Sequence, residues 1–195
     1  DAIIVGMHAR PDNPELIKAR ELGIPCYSFP EFMFLNSQQA KRVVVAGSHG
    51  KTTITSMLLH CFKQQNQPFN YLVGSKIQGF DCMVGFDNQA KVAIFEGDEY
   101  LSSPLDNRSK FLHYKPHVVI ITGIAWDHIN VFPKYSDYLH TFEKLIRDIQ
   151  LGGSLIYYAG DSELQQMVVK RPNPSIRYIP YTGLEANISG GYATL

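Results

Sequence analysis

The chain has 195 residues, 45% of them hydrophobic and 18% charged, with 18 basic against 18 acidic side chains. At about 150 residues per domain, this length gives one domain and a fraction, with a core that needs no disulfide or metal staple. The 15 Gly and 11 Pro exclude collagen-like and low-complexity classes, and a formal charge of zero offers no general basic surface for nucleic acid or anionic lipid.

In chain order, Ala2–Val5 predicts a short strand, Pro14–Leu22 a helix with Asn13 as N-cap, and Ile24–Phe29 a second strand. Val43–Ala46 is a compact β-branched strand. It runs through Gly47–Lys51 into a helix whose Ile54, Met57, Leu58, Cys61 and Phe62 share one face at i, i+3, i+4, i+7, i+8. Tyr71–Val73, Val92–Phe95, Val118–Thr122 and Ser154–Tyr158 predict further strands. Lys134–Ile149 predicts a helix with an apolar stripe of Tyr135, Tyr138, Leu139, Phe142, Leu145, Ile146 and Ile149, stopped by Gly152–Gly153. Runs such as VVVA and HVVIIT are apolar throughout, as suits strands covered on both faces. The expected fold is therefore α/β, a mostly parallel sheet with helices on both faces.

No apolar run reaches the roughly 18 residues of a membrane span, and DAIIVGMHARPD lacks the order of a secretory signal. Cys26, Cys61 and Cys82 form no CxxC pair, and no HExxH occurs; the cysteines read as reduced thiols of a cytoplasmic protein. The start inside a strand, the small β-α-β piece ahead of Gln38–Arg42 and the Gly-rich Glu185–Leu195 without a closing element predict that both ends are interior points of a longer protein.

The sharpest motif is VVVAGSHGKTT, Val43 to Thr53. A strand, a glycine turn, a Lys and two Thr lead straight into an amphipathic helix. The backbone N–H groups of such a turn cradle phosphate oxygens, helped by the positive end of the helix dipole. Lys51 would reach the terminal phosphates and the Thr52 hydroxyl would ligate Mg²⁺. With Val45 where the common pattern has Gly, Gly47-Ser48-His49-Gly50-Lys51-Thr52-Thr53 is a shorter variant of that loop.

Two acidic segments follow strands and so belong at the carboxyl edge of the sheet, where open parallel sheets bind ligands. Glu96-Gly97-Asp98-Glu99-Tyr100 either holds Mg²⁺ against phosphates or is a solvated acidic turn. His128 in Trp126-Asp127-His128 is either structural or a ligand. Arg108, Lys110 and His113 form a basic, aromatic-interleaved loop that either meets an anionic substrate or is packed by Phe111 and Tyr114.

GSHGKTT resembles the GTHGKTT phosphate loop of the Mur ligases, the ATP-dependent amide-bond-forming enzymes of peptidoglycan synthesis. Glu96-Gly97-Asp98-Glu99-Tyr100 is similar to the family's EADE(Y/S) segment, and Asp127-His128 to its Asp-His pair. The resemblance implies that Gly47 to Thr53 bind ATP, that Thr52, Glu96 and His128 are Mg²⁺ ligands, and that Lys51 and His128 serve catalysis. The chain departs from the family with Gly123 after Thr122, where Asn is usual, and with Ala125 in place of an acid. Asp106 to Pro116 resembles the D-x-RSKF-x-HY-x-P stretch of family members that join the murein peptide L-alanyl-γ-D-glutamyl-meso-diaminopimelate to UDP-N-acetylmuramate. That likeness implies substrate contacts for Arg108, Lys110 and His113.

IIVGMHARPDNPE resembles the end of the family's UDP-sugar-binding domain, so residues 1–40 are expected to be its Rossmann-like remnant and 41–195 a truncated ATP-binding central domain. The family's His-Asn-x-x-Asn segment is not found. Two alternatives stay open: a ligase that adds a single L-alanine, and a P-loop regulatory module, although no guanine-specific N/TKxD segment occurs.

Overall fold

A computed structural model describes residues 1–103, 106–170 and 172–183, together with the backbone of 187–189 and 192–194. The chain opens with β1 (Ile3–Val5), α1 (Pro14–Glu21), β2 (Cys26–Ser28) and α2 (Phe29–Leu35). The Asn13 side chain accepts hydrogen bonds from the N–H groups of Glu15 and Leu16, which is why α1 starts where it does. β1 and β2 pair in parallel across α1. The helix α2 escaped the sequence reading, although Ser28 and Glu31 form a reciprocal capping box and Pro30 sits in the first turn.

The main body follows as β3 (Lys41–Ala46), α3 (Lys51–Gln64), β4 (Phe69–Leu72), β5 (Val84–Gly85), β6 (Val92–Glu96), β7 (Leu101–Ser103), β8 (Asp106–Ser109) and β9 (Val118–Ile121). It continues with α4 (Tyr135–Arg147), β10 (Ser154–Tyr158), α5 (Ser162–Lys170) and β11 (Arg177–Tyr181). Seven strands form one sheet in the order β11-β10-β9-β3-β6-β4-β5, parallel except for the β4–β5 pair. β7 and β8 make a separate antiparallel pair, as do β12 (Asn187–Ser189) and β13 (Tyr192–Thr194). This last pair lies where no closing element was expected; 184–186, 190, 191 and 195 are outside the described residues.

Side chains alternate across the sheet as the pleat requires. Val44, Ala46, Ala93 and Phe95 join Tyr138, Phe142 and Leu145 of α4 and Leu164 of α5 in one cluster. Ile94, one residue out of phase, packs with Leu59 of α3 and Val73 in another. Helices therefore cover both faces, as the uniformly apolar runs predict.

The rotation of α3 differs from expectation. Thr55 and Leu59 are its buried residues, Leu58 and Phe62 pack beside them, and Met57 and Cys61 are exposed. The phosphate-type loop sets this rotation. It fixes Lys51 in the first turn toward the sheet edge, and Thr55 and Leu59 follow at i+4 and i+8 on the same face.

One buried cation anchors the entry to β3. The Arg42 guanidinium donates to the carbonyls of Ser37, Gln38, Ala40, Tyr114 and Lys115 at 2.8–3.2 Å, with no carboxylate partner among the described residues. Burial lowers its pKa from the ordinary value. Arg42→Met is expected to cost about 2–4 kcal/mol in urea unfolding, because it strands several buried carbonyls at once.

Candidate functional site

The loop between β3 and α3 lies between two strands whose onward connections run to opposite sides: β3 leads through α3 to β4 on the β6 side, and its other neighbour β9 leads through α4 to β10 on the far side. Such a switch point leaves a crevice at the carboxyl ends of the strands. Gly47 and Gly50 have φ of +125° and +79°. The Gly47 and Ser48 end is buried, while His49 and Gly50 face solvent. The loop rests on residues 122–125: the Ser48 N–H donates to the Gly123 carbonyl at 2.9 Å and the Ser48 hydroxyl to that of Ala125 at 2.5 Å. The Ser48 hydroxyl also lies 2.9 Å from the Tyr138 hydroxyl, while Thr122 Oγ1 donates to the His49 carbonyl at 2.5 Å. Gly123 and Ala125 thus serve through their carbonyls, and Asp161 fixes the same turn by accepting the Ile124 N–H at 2.7 Å.

In the first turn of α3, Lys51 Nζ donates to the Gly47 carbonyl at 2.6 Å and lies 3.2 Å from Glu99 Oε2. Thr52 Oγ1 donates to Glu96 Oε1 at 2.8 Å, and Glu96 Oε2 accepts the Gly74 N–H at 2.8 Å. A Cβ on Gly74 would come within 2.6 Å of Glu96 Oε1, so a side chain there would push the carboxylate off its seat. Thr53 points outward and is exposed.

Glu99, fully buried, meets His128 Nε2 through Oε1 at 3.0 Å. Burial pushes the Glu99 carboxyl above the ordinary carboxylate range, against the opposing pull of the Lys51 ammonium. His128 sits in the left-handed region with φ +56°, and the Tyr100 ring meets it edge-on at 4.4 Å. Asp98 Oδ2 holds Lys110 Nζ at 2.5 Å.

These groups line a cavity of about 660 Å³ that includes Lys51, Glu96, Asp98, Lys110, Asp127 and His128, with an apolar wall from Phe29, Leu72, Met83 and Val84. The basic loop divides. Lys110 enters the cavity wall, whereas Arg108 pairs with Asp106 at 2.6 Å outside it. His113 is buried 3.4 Å from Asp106, and burial lowers its pKa. Glu99 and Gly74 were not singled out by sequence reasoning. The acidic run flagged the segment of Glu99, but nothing local marks which of its carboxylates turns inward.

Among the described residues no three His, Cys, Asp or Glu side chains form a metal-ligand cluster. The donor set still suits Mg²⁺, which binds one or two protein oxygens and takes its remaining ligands from phosphate and water. The adjacent Thr52 hydroxyl and Glu96 carboxylate are hard oxygen donors of that kind. No helix among the described residues is long and apolar enough to cross a membrane.

A glycine loop entering a helix at the switch point of a parallel sheet, with acidic residues from the next strand facing it, is the arrangement of a P-loop fold. The chain belongs to the Mur ligase family: the Mur ligase middle domain matches residues 45–190. A UDP-N-acetylmuramate–L-alanine ligase of Borreliella afzelii is 32% identical over 151 residues, covering 77% of this chain and 31% of that protein. One from Desulfitobacterium hafniense is 28% identical over 174 residues, 88% of this chain and 36% of that protein. Among solved structures, the UDP-N-acetylmuramate:L-alanyl-γ-D-glutamyl-meso-diaminopimelate ligase of Neisseria meningitides superposes with TM-score 0.83 at 23% identity, over 99% of this chain and 66% of that one. The chain spans about a third of the length of the curated relatives it matches.

Proposed function

We propose that the chain is the ATP-binding part of a peptidoglycan ligase that activates the carboxylate of UDP-N-acetylmuramate and joins it to an amine. The observation that carries this reading is the meeting of Lys51 and the Thr52–Glu96 pair at one cavity on the sheet edge. A carboxylate is a poor acyl donor because oxide would have to leave. Its oxygen attacks the γ-phosphorus of ATP, the bond to the ADP oxygen breaks, and an acyl phosphate results. The amine then attacks the acyl carbon, phosphate departs with the bonding pair, and the nitrogen loses a proton.

The chain's own contribution is positioning and charge neutralisation. The N–H groups of Gly47 to Thr53 cradle the phosphates and Lys51 meets the charge that develops on them. Thr52 and Glu96 would hold one Mg²⁺ and His128 a second; when bound, the ion neutralises phosphate charge. Residues 1–40 fit the tail of a UDP-sugar-binding domain and 41–195 the ATP-binding domain of a cytoplasmic bacterial enzyme.

For the acceptor, the favoured reading is the tripeptide L-alanyl-γ-D-glutamyl-meso-diaminopimelate. Its support is the seat of Lys110: the ammonium reaches Asp98, and the Lys110 and Phe111 N–H groups donate to the carbonyls of Tyr100 and Asp98. The basic stretch is thereby stitched to the acidic segment and offers a cation to an anionic peptide. A single L-alanine is the second reading, favoured by the names of the sequence relatives. The complete protein, given ATP, UDP-N-acetylmuramate and each amine separately, is expected to release ADP and phosphate with the tripeptide. Turnover with L-alanine alone would decide for the second reading, and hydrolysis without either co-substrate would sink both.

A further inference from the structure

Glu99 is the one carboxylate at the site that faces away from solvent altogether, and three separate segments converge on it. Its own backbone lies on the connection from β6 to β7. Lys51 comes from the first turn of α3, with Nζ 3.2 Å from Oε2 and 3.5 Å from Oε1. His128 comes from the segment after β9, with Nε2 3.0 Å from Oε1.

The chemistry of the three groups restricts the arrangement. The Lys51 ammonium only donates and both Glu99 oxygens accept from it, which leaves Nε2 of His128 as the donor to Oε1. The neutral ring then has its lone pair on Nδ1, for which no hydrogen bond is found among the described residues. Asp127 Oδ1 accepts the His128 backbone N–H at 2.7 Å, its Oδ2 stands 3.7 Å from Nε2, and Tyr100 closes the ring's edge at 4.4 Å.

We infer that Glu99 is the positioning residue of this site: its single buried carboxylate holds the Lys51 ammonium at the mouth of the loop and fixes His128 in the tautomer with the proton on Nε2, presenting Nδ1 to whatever binds there. The inference rests on the ligase reading for its effect on turnover, but its structural half stands without it. Glu99 touches no reacting atom; it acts through Lys51 and His128. Loss of its charge leaves Lys51 with the Gly47 carbonyl and lets the His128 ring choose either tautomer. The loop N–H groups still cradle phosphate, so nucleotide affinity is largely kept while the transition-state contact is misaimed.

The test uses the complete protein with ¹⁵N-labelled histidine, first without nucleotide. Long-range ¹H–¹⁵N spectra of the unmutated protein are expected to show His128 protonated on Nε2, and Glu99→Gln, nearly isosteric, to mix the two tautomers. In steady-state assays Glu99→Gln is expected to lower kcat by about tenfold while KM for ATP stays within about threefold. A His128 signal with the proton on Nδ1 in the unmutated protein overturns the inference, whether or not the variant folds. So does a Glu99→Gln protein with unchanged tautomer and unchanged kcat. Because the spectra are recorded without substrates, failure of the ligase reading would leave them interpretable. Active ligation alongside an Nδ1–H ring would sink only the role given to Glu99.

Discussion

Lys51→Met is expected to lower ATP-dependent ligation on the order of 10²–10³-fold, the usual effect of removing one preorganised charge from a phosphoryl-transfer site. The Met stem keeps the aliphatic contacts of the side chain, so the packing around α3 is preserved. The electrostatic consequence falls on Glu99, which is fully buried and loses its cation. Breaking a buried pair costs about 3–5 kcal/mol when the remaining charge has no escape. Glu99 does have one, because burial already raises its carboxyl and removal of the ammonium raises it further. A group whose folded pKa lies above its unfolded value contributes stability at low pH and loses it as pH rises through the folded pKa. The Lys51→Met protein is therefore expected to match the parent in thermal unfolding near the ordinary carboxylate range and to fall progressively below it toward neutral and alkaline pH. Ligation that survives the substitution intact would remove Lys51 from the chemistry. A stability loss that shrinks as pH rises would contradict the burial of Glu99.

The same contrast, local pattern against tertiary consequence, separates what the sequence disclosed from what it hid. The central strands were legible because Val43–Ala46, Val92–Phe95 and Val118–Thr122 are short, apolar and bounded by turn residues, and a strand buried on both faces leaves that trace. α4 was legible from its stripe, since Tyr138, Phe142, Leu145 and Ile146 all reach the core. β11 was not, because Pro180 argues against a strand; as the outermost strand of the sheet it tolerates a residue without an N–H donor. The turn of α3 about its axis was hidden too, being set by the preceding loop and not by the tally of apolar residues. At the site, the turn of the loop was readable because Gly47 and Gly50 hold φ of +125° and +79°, a conformation that favours glycine. Arg108, Lys110 and His113 are close in sequence yet end in an outer ion pair, the cavity wall and the interior respectively. That division depends on how β8 and the turn after it pack, which charge and aromatic spacing do not encode.

Gly47→Ala is expected to be strongly damaging for a change of a single methyl group. A Cβ there would lie 2.2 Å from Thr122 Oγ1, 2.8 Å from the Gly123 carbonyl and 2.9 Å from the Thr122 N–H, and two of those three atoms are backbone. Moving them means moving the end of β9, which carries the carbonyl that holds Ser48. The φ of +125° adds backbone strain that L side chains rarely bear. Overpacking costs about 1–3 kcal/mol and a strained φ a similar amount, so the two together are of the order of 2–6 kcal/mol unless the loop rearranges. Rearrangement would turn the N–H groups away from the phosphate-cradling arrangement proposed for the loop. The expected result is thus either a large drop in melting temperature or a loss of nucleotide affinity, read by calorimetry and by titration with ATP. Gly50→Ala supplies the control within the same loop. Its φ of +79° is also strained, but nothing lies within 4 Å of the added Cβ. It is expected to cost about 1–2 kcal/mol. The excess at Gly47 then measures the contact with Thr122 and Gly123, a surface 75 residues away along the chain on which the loop rests. Equal effects at the two glycines would show that conformation alone shapes the loop and that its seat on the end of β9 is dispensable.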